Sequence, residues 1–326
     1  MVVVTDGIAP APKGTLRLMD ATRDLGAVAD LIGLCFADTL DNEGRNYLQE
    51  LRQIARHPTL YRWIDVLNEQ PSIPGTGYVW EEDGRLVGSA SLIPFFTQGH
   101  PCYLIANVAV HPDYRGRGIG KALTARALEY ARQRLSFAAW LQVRDDNPAA
   151  IHIYHSLGFV ERARRSTWHC QGKPDPNEVI LSPGLAILSR KAAHWEKQQA
   201  WLKRIYPAEL AWHLPVDWTA LEPGPYGKLY CFFKICFPRQ WAVQRGEELQ
   251  GVLTWGQAYA AANRLWLAVP EAVDEPAIQA LLLTARQQLP ARKPASLNLP
   301  AGLAIQALWS AGFQHQNTLI WMEYRL

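Results

Sequence analysis

Two stretches of this chain carry nearly the same text 154 residues apart. AIHIYHSLGF at 150–159 returns as AIQALWSAGF at 304–313, and ARQRL at 131–135 returns as ARQQL at 285–289. One offset found at two places marks an internal repeat, so the fold of one half constrains the fold of the other. Weaker echoes lie upstream, DGRLVGSASL at 83–92 with GEELQGVLTW at 246–255, and VAV at 108–110 with LAV at 267–269. At 326 residues the chain exceeds one typical domain, and the repeat predicts two related units, 1–170 and 171–326.

The pattern in the first copy is α/β. TLRL reads as a short strand, Ala21-Thr22 as a helix start, and Val28, Leu31, Ile32 and Cys35 recur at helical spacing. YVWEEDGRLVGSASLIPFF is a hairpin turning at Asp83-Gly84, and YLIANVAV is a nearly continuous apolar strand. Ile119, Leu123, Ala127 and Ala131 then recur every four residues, with Leu128 and Leu135 widening the stripe, which predicts a core-facing helix to about Arg134. FAAWLQV follows as a buried strand, NPAAIHIYHSLGF as a helix opening at Asn147-Pro148 and closing at Gly158, and VERARRSTWHC as a last strand.

The copies differ where the first strand meets its helix. Val110 to Ala131 spans 21 positions but Val269 to Ala285 only 16, so the second copy is five residues shorter there. The first copy has RGRGIGK at this place; the second has PEAVDEPAIQAL, with three carboxylates and no glycine. A strand that enters a helix through a glycine-rich turn leaves backbone N–H groups unpaired at a positive helix end, which attracts anions. Gly116, Gly118 and Gly120 let an anion approach that backbone, and Arg115, Arg117 and Lys121 add cations at its rim. The spacing fits neither familiar nucleotide loop. Three residues separate Gly116 from Gly120-Lys121, where a Walker loop has four, and Ala122 stands in place of the hydroxyl residue. The alternating glycines also break the dinucleotide fingerprint.

Composition excludes several classes. No apolar run approaches the ~20 residues of a membrane span, and a net charge of +3 without Lys/Arg–aromatic interleaving does not describe a nucleic-acid surface. Cys35, Cys102, Cys170, Cys231 and Cys236 are scattered without metal or disulfide spacing, and the N-terminus lacks a basic segment before an apolar one. The expected setting is the cytoplasm, and the expected ligand a small anion, with no nucleic-acid or membrane partner. Trp195, Trp201, Trp212, Trp218, Trp241, Trp255, Trp266, Trp309 and Trp321 crowd the second half, and most are expected to fill its core.

Residues 14–170 resemble the GNAT superfamily of acyl-CoA-dependent N-acyltransferases. The resemblance rests on Arg115-x-x-Gly118-x-Gly120 directly after NVAVHPDY, on Asn147, Ala150 and Tyr154 about thirty residues later, and on LGF. It implies an α/β (α+β) fold of two GNAT-like domains, each a mixed, mostly antiparallel twisted sheet flanked by helices, the second degenerate and without a pyrophosphate loop. It further implies acetyl-CoA as co-substrate, with Arg115, Gly116, Arg117, Gly118, Ile119, Gly120 and Lys121 around the pyrophosphate, Val108, Ala109 and Val110 beside the pantetheine arm, and Asn147 contributing. Tyr154 is then the candidate general acid for the departing thiolate. The acceptor would be a small-molecule or peptide amine, attacked directly in a ternary complex. The position matching Tyr154 in the second copy is Leu308.

One family feature is missing. The strand before the loop reads Tyr103-Leu104-Ile105-Ala106-Asn107, with no carboxylate to serve as a general base. His100, His111, Asp38, Asp41 and Glu43 are substitutes, and the gap keeps open the alternative of a non-catalytic acyl-CoA-binding or regulatory module. His152 and His155 stand three residues apart, but no third ligand converges on them and no metal site is expected.

Overall fold

The computed structural model of the chain describes residues 13–40, 42–56, 76–175, 182–256, 262–290 and 293–326. The chain divides into two compact units, Met1–Arg162 with Trp321–Leu326, and Ala163–Ile320. Against the expected limits 1–170 and 171–326, the division falls inside one strand and returns the last six residues to the first unit.

The first unit runs β1 (Thr15–Leu18), α1 (Ala21–Cys35), α2 (Asn42–Arg56), β2 (Thr76–Glu82), β3 (Arg85–Thr97), β4 (His100–Val110), α3 (Ile119–Gln133), β5 (Ala138–Arg144), α4 (Pro148–Ser156) and the start of β6 (Val160–Cys170). Its strands lie in the order β1-β2-β3-β4-β5, antiparallel except for β4 with β5. The predicted signals act locally. Asp20 caps α1 by accepting the Thr22 N–H at 2.9 Å, which frees Leu25, Val28, Ala29, Leu31 and Ile32 to bury as one face against Leu48, Leu51 and Ile54 of α2. Asp83 and Gly84 both take positive φ, 50° and 71°, as a two-residue hairpin turn requires. Asn147 caps α4 through Ala150 N–H at 3.1 Å. Leu135 departs from the predicted stripe: α3 stops at Gln133, and Leu135 sits beyond the helix end with φ 53° and 88% exposure. A reversal of the backbone there outweighs the leucine's preference for the core.

The second unit continues β6 and adds β7 (Leu185–Ser189), α5 (Trp195–Ile205), α6 (Trp218–Leu221), α7 (Pro225–Lys234), β8 (Arg239–Arg245), β9 (Glu248–Trp255), β10 (Asn263–Ala268), α8 (Glu275–Gln288), β11 (Ala295–Pro300), α9 (Ile305–Ser310) and β12 (Gln314–Arg325), the last ending in the first unit. Its order is β6-β11-β10-β9-β8-β7, with β10 and β11 the parallel pair. Hairpin, strand, helix, strand, helix, strand thus follow one another in both units. Its core holds Leu253, Leu267, Ile278, Leu281, Leu297, Leu308 and Phe313, all fully buried. The tryptophans fill it less than expected: Trp241 and Trp255 are buried, and so is Trp321 in the first unit, but Trp309 is 53% exposed and packs edge-on against Trp168. The stretch QGKPDPNEVILSPG at 171–184 reads from sequence as a linker, and its part 176–181 lies outside the described residues. Among the described residues no helix is long and apolar enough to cross a membrane.

Candidate active site

Parallel pairing of β4 with β5 runs from Cys102–Ala138 only to Leu104–Trp140. Beyond that point the strands part, and a cleft of about 730 Å³ opens between them. A bulge in β4 accompanies the parting. Ser89 pairs with Ala109 but Ser91 with Ala106, leaving one more residue on β4 than on β3. The irregularity centres on Asn107, whose φ is 52°. Bulges bend a strand away from its neighbour, and asparagine is among the few non-glycine residues that tolerate this backbone. Asn107 Nδ2 donates to Tyr47 Oη at 2.9 Å, and Ser89 Oγ donates to the Asn107 carbonyl at 3.4 Å.

The cleft gathers most of the expected residues: Val108 and Val110 from β4, Arg115, Gly116, Gly118, Ile119, Gly120 and Lys121 from the loop and the start of α3, and Asn147 and Tyr154 from α4. Gly118 is the N-cap of α3 with φ 79°, and no side chain caps this helix. A Cβ on Gly116 or Gly118 would meet nothing within 4 Å, so the backbone of the loop faces open space. Uncapped N–H groups, a positive helix end and two cations converge on one wall.

Two expected residues stand elsewhere. Ala109 is buried on the opposite face of β4, as strand alternation dictates for the residue between Val108 and Val110. Arg117 turns away from the cleft, donating to Glu82 Oε1 at 3.1 Å with its guanidinium over the Tyr114 ring. Arg115 Nε donates to the Val110 carbonyl at 3.2 Å, which Cys35 Sγ also reaches at 3.2 Å. Burial pushes the Cys35 thiol up and Arg115 partly opposes it.

Tyr154 is 7% exposed and packs edge-on against Phe159. Its hydroxyl has no hydrogen-bond partner among the described residues, and burial pushes the phenol up to about 12, so it is protonated across the neutral range. Asn147 uses Oδ1 as the cap of α4, which leaves its amide N–H groups for the cleft.

Sequence reasoning missed Cys35, Phe36 and Thr39, brought to the cleft by the end of α1, and Arg144 with Asp146, at and just past the end of β5. The first three carry no local signal. The last two were readable, since ligand-facing groups gather where parallel strands end. Asp146 is the carboxylate that lines the cleft among the described residues, and Arg144 holds it in a two-point ion pair at 2.9 and 2.7 Å that keeps it below its ordinary range. Of the substitute bases, His100 stacks on Phe137, His111 Nδ1 accepts from Asp113 N–H, Asp38 is exposed, and none lines the cleft. Asp41 and the Glu43 side chain lie outside the described residues. His152 and His155 are exposed on α4, and among the described residues no group of three His, Cys, Asp or Glu could hold a metal.

The second unit treats the corresponding place differently. Its parallel strands also stop pairing, after Leu265–Leu297, but its own side chains fill the opening. Leu267, the match of Val108, gives its N–H to Tyr206 Oη at 3.3 Å. Arg165 donates to the Ile205 carbonyl at 2.7 Å, to Asn298 Oδ1 at 2.6 Å and to the Asn298 carbonyl at 2.8 Å. Asp274 caps α8 through Ala277 N–H at 3.2 Å and pairs with Arg245. Glu275 Oε2 accepts the Ala307 N–H of α9 at 2.6 Å.

An α/β unit with a splayed parallel pair and a glycine-rich helix start is the architecture of the GNAT acyltransferases. Residues 38–159, in the first unit, match the acetyltransferase (GNAT) family, whose co-substrate is acetyl-CoA. The chain is 32% identical over 164 residues to a mycothiol acetyltransferase of Thermomonospora curvata, covering 50% of this chain and 47% of that one. It is 41% identical over 76 residues to the ribosomal protein bS18-alanine N-acetyltransferase of Escherichia coli K12, covering 23% and 51%. The chain therefore spans about half the length of these curated relatives. A GCN5-related N-acetyltransferase from Sphaerobacter thermophilus shares the fold, with TM-score 0.55 at 12% identity over 96% of this chain and 95% of that one.

Proposed function

We propose that the chain transfers an acetyl group from acetyl-CoA to an amine, at a single site in the first unit. The observation that carries this reading is the meeting, in one cleft, of an uncapped glycine-rich helix start with the unpaired edge of β4. The loop from Arg115 to Lys121 holds the pyrophosphate, and the edge at Val108 and Val110 receives the pantetheine arm. The amine nitrogen attacks the thioester carbonyl, and the tetrahedral intermediate collapses with loss of the CoA thiolate. Tyr154 gives that thiolate its proton, and the proton shed by the amine leaves to water or a base. A phenol held near 12 suits this role because a thiolate forming in the same dry site also has a raised proton affinity.

The second unit, on this reading, is a degenerate copy that binds no acyl-CoA, because Tyr206, Arg165, Asp274 and Glu275 occupy the groups a ligand would use. The acceptor class is a small-molecule or peptide amine, the kind of substrate named for the relatives. Calorimetric titration with acetyl-CoA tests the reading, with one equivalent expected for the native chain and none for a Gly118→Glu, Gly120→Glu variant. Two equivalents would refute the single site, and no binding would refute the transferase.

The missing base favours a second reading, an acyl-CoA-binding module without turnover, since the one carboxylate that lines the cleft among the described residues is held by Arg144. Release of free thiol from acetyl-CoA across a panel of amines separates the two.

A further inference from the structure

Helix α7 is packed inside out. Its buried residues are Gly227 and Cys231, one turn apart, while Tyr226, Leu229, Phe232 and Phe233, with Ile235 and Phe237 just beyond its end, are between 55% and 78% exposed. These are six of the largest apolar side chains on the surface, within twelve residues of sequence. The helix is nonetheless firmly seated. A Cβ on Gly227 would run into the Glu222 carbonyl, Cys231 Sγ reaches the Ala220 carbonyl at 3.6 Å, and Tyr230 Oη donates to Asp217 at 3.2 Å. The apolar face is thus held outward by close contact beneath it.

Advancing about 100° per residue, Tyr226, Leu229, Phe232 and Phe233 fall on the arc directly opposite Gly227 and Cys231. Lys228 lies at one flank of that arc and Tyr230 at the other, while Lys234, in the last turn, stands on the Gly227 side; both lysines are exposed. From Pro225 to Arg239 the segment carries Lys228, Lys234 and Arg239 and no carboxylate.

We infer that α7 with the following Ile235–Phe237 is an interfacial anchor that seats the protein on an anionic lipid surface. An outward aromatic arc with a lysine on one border and a second at the helix end matches what a bilayer interface receives: rings enter the headgroup boundary while the lysine stems lie along them and the ammonium groups reach the phosphates. The side chains stand out from the surface, so a plane of lipid covers them without shape complementarity. Charge decides against a second copy as the occupant. Self-pairing of this face would bring the Lys228 of each copy together, with no acid from Pro225 to Arg239 to answer it. The sequence expectation of no membrane partner considered spanning runs only, and this helix lies flat.

The test is co-sedimentation of the full chain with vesicles of equimolar phosphatidylcholine and phosphatidylglycerol, beside vesicles of phosphatidylcholine alone. The native chain is expected to partition at least ~10-fold more onto the anionic vesicles, less so at high salt. A Phe232→Ser, Phe233→Ser variant should lose binding to both, and a Lys228→Glu, Lys234→Glu variant should lose the preference for anionic lipid. Both change exposed side chains, and an unshifted thermal midpoint checks their folding. Absence of native binding, or binding unchanged in the serine variant, overturns the inference. So does a native dimer in solution that the serine variant dissolves, which would assign the face to a second copy.

Discussion

Helices α3 and α8 follow corresponding strands and begin in opposite ways. Both inherit the same difficulty, a first turn whose N–H groups have no partner within the helix. α8 resolves it internally: Asp274 caps the turn and Arg245 holds Asp274, while Glu275 reaches the start of α9. α3 leaves it open, starting from a glycine at φ 79° with no capping side chain and with Arg115 and Lys121 along the same wall. The strands tell the same story, since Leu267 N–H is taken by Tyr206 whereas the Val108–Val110 edge faces the cleft. One architecture therefore reads as a binding site or as a closed core depending on whether its own carboxylates and hydroxyls satisfy the exposed backbone.

The largest effect should come from making α3 begin as α8 does. Gly118→Asp places a carboxylate at the cap, in space that is otherwise open, and aspartate tolerates a left-handed backbone better than most residues. Acetyl-CoA affinity should fall by at least ~100-fold, because the new anion both occupies the N–H groups and repels a pyrophosphate. Calorimetry measures the loss. Retained affinity would mean that this helix start does not bind the ligand.

Next in size is Tyr154, whose counterpart is the buried Leu308. Tyr154→Phe should lower kcat by roughly 100-fold and leave the dissociation constant for CoA nearly unchanged. With the phenol held near 12, the native pH profile should show no alkaline fall from this group below about pH 11. A variant with full turnover would make Tyr154 a packing residue.

A smaller effect is expected at the closed helix. Asp274→Ala should cost about 1 kcal/mol, a drop in Tm of about 2–4 °C, without creating a second acetyl-CoA site. Arg245 holds the Asp274 carboxyl below its ordinary range. A group depressed in the folded state contributes fully above its unfolded value of about 4 and loses that contribution as the pH falls through the folded value. The stability gap between native and Asp274→Asn chains should therefore be constant near neutrality and close under acid, in denaturant titrations across that window.

What could be read from sequence was what local chemistry decides. Asn147 as a cap, Asp83-Gly84 as a turn and the three glycines as an open loop each act within a few residues of themselves, and the 154-residue offset announced the repeat. What escaped depended on distant partners. Asn107 looked like one polar residue in an apolar strand, and only Tyr47, sixty positions away, and the register of β3 make it a bulge. Tyr206 could not be matched to Leu267 across 61 residues, so the absence of the loop was legible in the second copy but the plug that replaces it was not. Leu135 and α7 failed in the same direction, because hydrophobicity predicts burial and says nothing of a chain reversal or of a face left for something outside the fold.

The smallest effect belongs to the cation that sequence placed at the rim and the structure turns aside. Arg117 carries the same formal charge as Arg115 and Lys121, two residues from one and four from the other, yet only those two line the cleft. Its guanidinium is committed to Glu82 and to the face of Tyr114, and it is nearly half exposed, so solvent screens what field it adds at the loop. Arg117→Ala should weaken acetyl-CoA binding by less than ~3-fold, whereas Lys121→Ala should weaken it by roughly 10-fold. A loss at Arg117 equal to that at Lys121 would mean that the arginine leaves Glu82 to meet the ligand. The difference between α3 and α8 would then lie in a loop that rearranges on binding as well as in a helix start left uncapped.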